Sequence, residues 1–305
     1  MSAPGGHHHT AGAVHRPRLV AALAVTATVM VVEVVGGVLS GSLALLADAG
    51  HMLSDAAALA LALGATWLAA RPSRGHWTFG WQRAEILAAL VNGVVLAVIG
   101  VLVLIEGIQR LGADPDDVSA PLMMAVAAVG LVANLVCLRL LHAGQRESLN
   151  VRGAYLEVLG DLLGSVAVLV AGVVIALTGW QRADAVASIA IGVLILPRAG
   201  SLLRDVGRVL LEAAPEGMAL ASVREHMAQV PGVVAVHDLH AWTITSGVPV
   251  VSAHVVVEDD VLERTRFCEV LDALQDCLRG HFDVTHSTVQ LEPVGHAGAE
   301  FRLHE

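Results

Sequence analysis

The chain contains no lysine, and all 18 of its basic side chains are arginine. Charge of either sign is scarce at 15% of 305 residues, while 55% are hydrophobic and the mean hydropathy is +0.69. Soluble domains carry about 25% charged residues, so an ordinary soluble fold is excluded for the chain as a whole. Only three cysteines occur, Cys137, Cys268 and Cys277, and no CxxC spacing joins them. They offer no disulfide framework and read as reduced packing residues. There is no HExxH, no dense histidine box and no repeat of solenoid length. A secretory signal is not expected either, because the first apolar run is too long and lacks a clear cleavage site.

What the sequence does have is six apolar runs, Leu19 to Leu39, Leu43 to Leu68, Ala84 to Ile108, Pro121 to Leu141, Ala154 to Leu177 and Ala183 to Leu203. Each is near the ~20 residues that a helix needs to cross a hydrocarbon core of about 30 Å. Arg16, Arg18, Arg71, Arg74, Arg83, Arg139, Arg146, Arg152, Arg198, Arg204 and Arg208 fall on one side of such a six-helix arrangement. The other side holds Arg110, Arg182 and the acids Asp114, Asp116 and Asp117. The excess of arginine places both termini in the cytoplasm, most simply at a plasma (inner) membrane.

From about Leu211 the pattern turns soluble, after a break at Pro215 and Gly217. Helical periodicity near Ala219 to Gln229 and Asp260 to Leu278 alternates with strand-like runs at Val233 to Ile244, Val248 to Glu258 and Thr285 to Glu292. The order αββαβ predicts a small α+β domain with two helices on one sheet face. The expected layout is a cytosolic tail 1–18, a transmembrane domain 19–210, a cytosolic domain 211–293 and a C-terminal tail 294–305. From residue 205 onward 16 acids face 6 arginines, an excess equal to the chain's whole net charge of −10, which disfavours a nucleic-acid partner.

Ionisable side chains inside a membrane span are costly and point to an ion pathway. The second span has Asp48, His51 and Asp55 on one helical face, and the fifth has Glu157 and Asp161, again four apart. At 1.5 Å per residue, His51 and Asp55 lie about 12 to 18 Å from the outer face, and Glu157 and Asp161 about 7 to 14 Å from the inner one. Those depths nearly meet. One imidazole and three carboxylates make a mixed N/O set suited to zinc or a related divalent cation. Ions entering such a site displace protons, a linkage on which metal–proton exchange can be built. Asp48, one turn outward, is a candidate proton relay or entry residue, against the alternative of a structural role; Glu33, Glu106 and Asn92 stand alone and read as interhelical hydrogen-bonding or interface groups.

The runs LLADAGHMLSD (Leu45 to Asp55), TFGWQRAEILAALVNG (Thr78 to Gly93) and GAYLEVLGDLLGSV (Gly153 to Val166) resemble the cation diffusion facilitator family of zinc transporters, as do HDLHAWTITSG (His237 to Gly247) and HSTVQLE (His286 to Glu292). The resemblance spans nearly the whole chain. It implies six spans, a cytosolic ferredoxin-like domain that helps form a homodimer, and export of zinc and related ions in exchange for protons. It carries the transport ligands onto His51, Asp55 and Asp161. The family's zinc pattern has HxxxD in the fifth span, whereas here Glu157 stands in the histidine position. A more oxygen-rich set weakens preference for zinc over cadmium, cobalt, manganese or iron.

Family members also use tail histidines. Parity places His254 opposite the apolar Val251, Ala253, Val255 and Val257, and puts His286 and Glu292 on one face of the last strand. With His237 at the strand entrance, His237, His254, His286 and Glu292 form a second candidate metal set, against the plain alternative of solvated surface histidines. Two other classes stay open at this point: a membrane-embedded metalloenzyme, and a membrane-anchored metal sensor whose spans only tether it.

Overall fold

The computed structural model describes residues 10–69, 76–113, 117–142 and 149–296. The chain divides into two compact units, one of Met1–Leu63 with Ala89–Leu203, the other of Gly64–Ala88 with Arg204–Glu305. The second unit therefore takes in the end of the second helix, the start of the third and the end of the sixth along with the C-terminal part.

Among the described residues six long helices come first: α1 (Thr10–Ser40), α2 (Leu43–Ala69), α3 (Ala84–Gly112), α4 (Ala120–His142), α5 (Leu149–Thr178) and α6 (Arg182–Leu210). Among the described residues α3, α4, α6 and the 155–178 part of α5 are long and apolar enough to cross a membrane; α1 and α2 contribute shorter apolar stretches, Ala24–Ser40 and Leu43–Ser54. Apolar side chains such as Leu45, Leu96, Met123 and Val168 are buried between helices, while Val31, Leu102, Val132 and Leu163 remain exposed on the outside. That pattern suits a bundle whose solvent is lipid. α4 packs along α1 and α5. Gly36 allows the α1–α4 approach, since a Cβ there would lie 2.5 Å from Val126.

The α1–α2 turn is held by a carboxylate from another helix. Gly41 takes a left-handed φ of 72°, and Asp184 in the first turn of α6 accepts from the Ser42 hydroxyl at 2.6 Å and from the backbone N–H groups of Leu43 and Ala44 at 2.8 and 3.3 Å. Arg110 of α3 lies 3.9 Å from the same carboxylate and donates to the Gly41 carbonyl at 2.9 Å. Asp184 therefore caps α2 and is fully engaged, although it is buried. Of the isolated polar residues, Asn92 accepts from Ser54 across α2 and α3 at 3.0 Å, and Glu106 pairs with Arg110 one turn along its own helix.

The second unit contains α7 (Leu220–Ala228), β1 (Val233–Thr243), β2 (Pro249–Val257), α8 (Arg264–Phe282) and β3 (His286–Pro293), with a 3₁₀ turn at Asp259–Leu262. Its three-stranded sheet has the order β1-β2-β3. β1 and β2 are antiparallel around the turn at Gly247, whereas β2 and β3 are parallel, which requires a crossover that α8 supplies. Val251, Ala253, Val255 and Val257 are buried against Val223 and Met227 of α7 and Leu274 and Leu278 of α8, as the alternation predicts. β1 is irregular between His237 and His240, where Asp238 takes φ 47° and two residues intervene without partners in β2. Glu85, in the first turn of α3, accepts from Thr245 and Ser246 at the β1–β2 turn, at 2.5 and 2.9 Å.

Candidate metal centres

Inside the helical unit the structure brings α2 and α5 together at His51 and Asp161. His51 Nε2 lies 3.7 Å from Asp161 Oδ1; the two side chains are 12% and 2% exposed. That separation is too long for a hydrogen bond. It is close to the roughly 3.4 Å expected between two donors that each sit about 2.1 Å from a tetrahedral ion. Asp55 continues α2 one turn beyond His51, and its side chain lies outside the described residues.

Glu157 is engaged by a residue that charge alone puts outside the membrane. Arg198, assigned above to the cytoplasmic flank, lies within α6, and its Nη2 donates to Glu157 Oε1 while Nη1 donates to His51 Nε2 at 3.1 Å. A sequence signal existed: Arg198 follows Pro197 in an otherwise apolar run, and Pro197 does not end the helix. The helix simply continues to Leu210, so the arginine reaches the site from within it.

Beyond this site, toward the α2 N-terminus, lies a second polar cluster drawn from four helices. Ser165, one turn on from Asp161, donates to Asp48 and accepts from Asn134 Nδ2 at 3.4 Å. A Cβ at Gly130 would stand 2.5 Å from Glu33 Oε1 and 3.2 Å from Ser165 Oγ, and one at Gly164 would overlap the Asp48 carboxylate. Glu33, Asp48, Asn134 and Ser165 are 1 to 2% exposed. Among the described residues neither oxygen of Glu33 has a hydrogen-bond donor, and Asp48 Oδ2 and Asn134 Oδ1 likewise have none. Glu33 is thus a buried group at the α1–α4 interface, the second of the two roles expected of it.

In the second unit His237, His254 and Glu292 each present a donor atom within 4.8 Å of the others. Glu292 Oε1 is 2.8 Å from His254 Nδ1, and its Oε2 is 3.2 Å from His237 Nε2. Glu292 is buried, and Gln290 donates to it at 2.8 Å, so the carboxylate is fixed in place. Two imidazoles and a carboxylate form a zinc-type donor set with room for another ligand. Asp238 stands beside it, 3.9 Å from His254 and 3.0 Å from His240. The hydrogen bond from His240, together with the nearby His254 and His237, holds Asp238 below the usual carboxylate range. His286 does not join this cluster. It pairs with Val250 in the sheet register, six residues before Glu292 and so about 20 Å along the strand, and it packs edge-on against Phe79. Parity alone puts it on the right face, but not at the right height.

The chain matches the model of the cation efflux transmembrane domain over residues 19–211 and that of the cation efflux cytoplasmic domain over residues 215–294. It is 44% identical over 292 residues to the metal cation efflux system protein CzcD of Cupriavidus metallidurans, covering 96% of this chain and 90% of that one. A structure of the metal-bound C-terminal domain of the CzcD transporter is 40% identical, with a TM-score of 0.23, and spans 25% of this chain and 99% of that one. The zinc transporter ZitB of Escherichia coli is 43% identical over 307 residues, 98% of this chain and 96% of the relative. A cadmium, cobalt and zinc/H(+)-K(+) antiporter of Bacillus subtilis is 38% identical over 293 residues, 95% and 93% of the two chains. With the two family models together reaching from residue 19 to residue 294 and relatives of nearly the same length at this identity, the protein belongs to the cation efflux, or cation diffusion facilitator, family.

Proposed function

We propose that this chain exports a divalent transition-metal cation from the cytoplasm, zinc foremost, in exchange for protons and by alternating access. It is a transporter and not an enzyme, in keeping with its family and with relatives named for zinc, cadmium and cobalt efflux or antiport. The observation that carries this reading is the approach of His51 on α2 to Asp161 on α5 between two apolar helices. Asp55 and Glu157 complete the proposed transport set, with Asp48 as relay or gateway.

The finer architecture is part of the same proposal. A cytosolic tail, 1–18, leads into six spans, 19–210, that cross an inner membrane and leave both termini in the cytoplasm. The C-terminal domain, 211–293, is ferredoxin-like and pairs with its counterpart in a homodimer. His237, His254 and Glu292 hold a regulatory or structural zinc there. Zinc flux into proteoliposomes tests the main claim: the wild type should take up zinc faster when the lumen is more acidic than the outside, and Asp161→Ala should lose transport while the tail still binds zinc. Flux indifferent to the pH gradient would remove the exchange step.

A further inference from the structure

We propose that Arg198 is a specificity-determining residue of the transport site, its guanidinium competing with the transported divalent cation for His51 Nε2 and the Glu157 carboxylate. The inference rests on the reading of His51, Glu157 and Asp161 as ligands.

Arg198 Nη1 lies 3.1 Å from His51 Nε2, and Nη2 pairs with Glu157. A guanidinium has only donors. The nitrogen of His51 facing it must therefore offer its lone pair, and this is the pair that a metal ion takes from imidazole. A lone pair directed to the guanidinium is not available to a metal. At Glu157 the guanidinium takes Oε1 and offsets the carboxylate's charge, although a carboxylate keeps further lone pairs for a cation. Arginine binding and metal binding are mutually exclusive at His51 Nε2, so any ion that takes this nitrogen must displace Arg198 from it first.

The structure also gives the arginine somewhere to go. Arg198 and Glu157 side chains are 41% and 38% exposed, in contrast to His51 and Asp161 at 12% and 2%. The Arg198–Glu157 pair is thus the more open part of the site. Pro197 precedes it inside α6 and has no N–H to give to the carbonyl one turn back, which slackens the helix at this point. The competitor therefore works as a threshold. Cations with high affinity for nitrogen and carboxylate ligands, zinc and its neighbours, overcome it; manganese, at the weak end of the divalent series, does not.

The test is calorimetric titration of the full-length protein in detergent, with the tail cluster disabled by His254→Ala and Glu292→Gln, using zinc and manganese as probes. Arg198→Ala should tighten zinc at least tenfold, the equivalent of about 1.4 kcal/mol, and make manganese binding measurable. Arg198→Lys keeps the charge but lacks the fork that spans two partners, so it should give part of the same gain. In proteoliposomes the KM for zinc should fall with affinity, which a merely structural loss would not produce. If Asp161→Asn removes zinc binding and yet both Arg198 variants bind zinc no more tightly than the parent, the competitor is overturned while the site stands. If Asp161→Asn leaves binding intact, the ligand reading itself fails.

Discussion

Asp161 and Asp184 are both 1% exposed among packed helices, but their surroundings assign them different work. Asp184 accepts from one hydroxyl and two backbone N–H groups, which makes it a cap for α2. Replacing it with alanine should cost about 2 kcal/mol or more, because the start of α2 loses its acceptor and Arg110 a nearby counter-charge, and thermal unfolding in detergent will measure it. Asp161 faces His51 instead, and Asp161→Ala should lower zinc transport by roughly a hundredfold or more, at least the loss produced by removing an outer-shell partner of a metal. At Glu157 the expected effect is on choice rather than rate. Glu157→His supplies a second imidazole, so competition transport with zinc, cadmium, cobalt and manganese should shift toward zinc; an unchanged profile would remove Glu157 from the ligand set.

Periodicity makes the helices and strands legible because burial repeats along them. β2 illustrates this, with Val251, Ala253, Val255 and Val257 all facing the helices as alternation requires. Register is a different matter, since it depends on which residue of β3 stands beside which residue of β2, and parallel pairing across α8 leaves no local trace of that. Hence parity brings Glu292 and His254 to one face, yet sets His286 at the wrong height along the strand. Arg198 shows the complementary failure: charge suggests a cytoplasmic flank although the sixth apolar run, Ala183 to Leu203, already includes it, and the contact with His51 depends on how α6 packs, which the sequence does not show. Gly130 and Gly164 carry no signal in the sequence, since a missing Cβ matters only when the neighbouring helix is known. A Gly164→Ala change should push Asp48 off its Ser165 contact and destabilise the bundle by about 1–3 kcal/mol, again readable by thermal unfolding.

For the molecule as a whole, the proposed topology is testable without transport. With Cys268 and Cys277 replaced by serine, a cysteine at Ser119, in the exposed segment before α4, should react with an impermeant maleimide from outside intact cells. Labelling from the cytoplasmic side alone would invert the arrangement derived from the arginines.

His237, His254 and Glu292 come one from each strand of the three-stranded sheet. An ion gripped by all three would staple the sheet across its full width, including the parallel seam between β2 and β3, whose two edges are otherwise tied through the chain only by the long way round α8. Chelation should therefore be felt first at that seam, as faster amide hydrogen exchange along β3 than along β1.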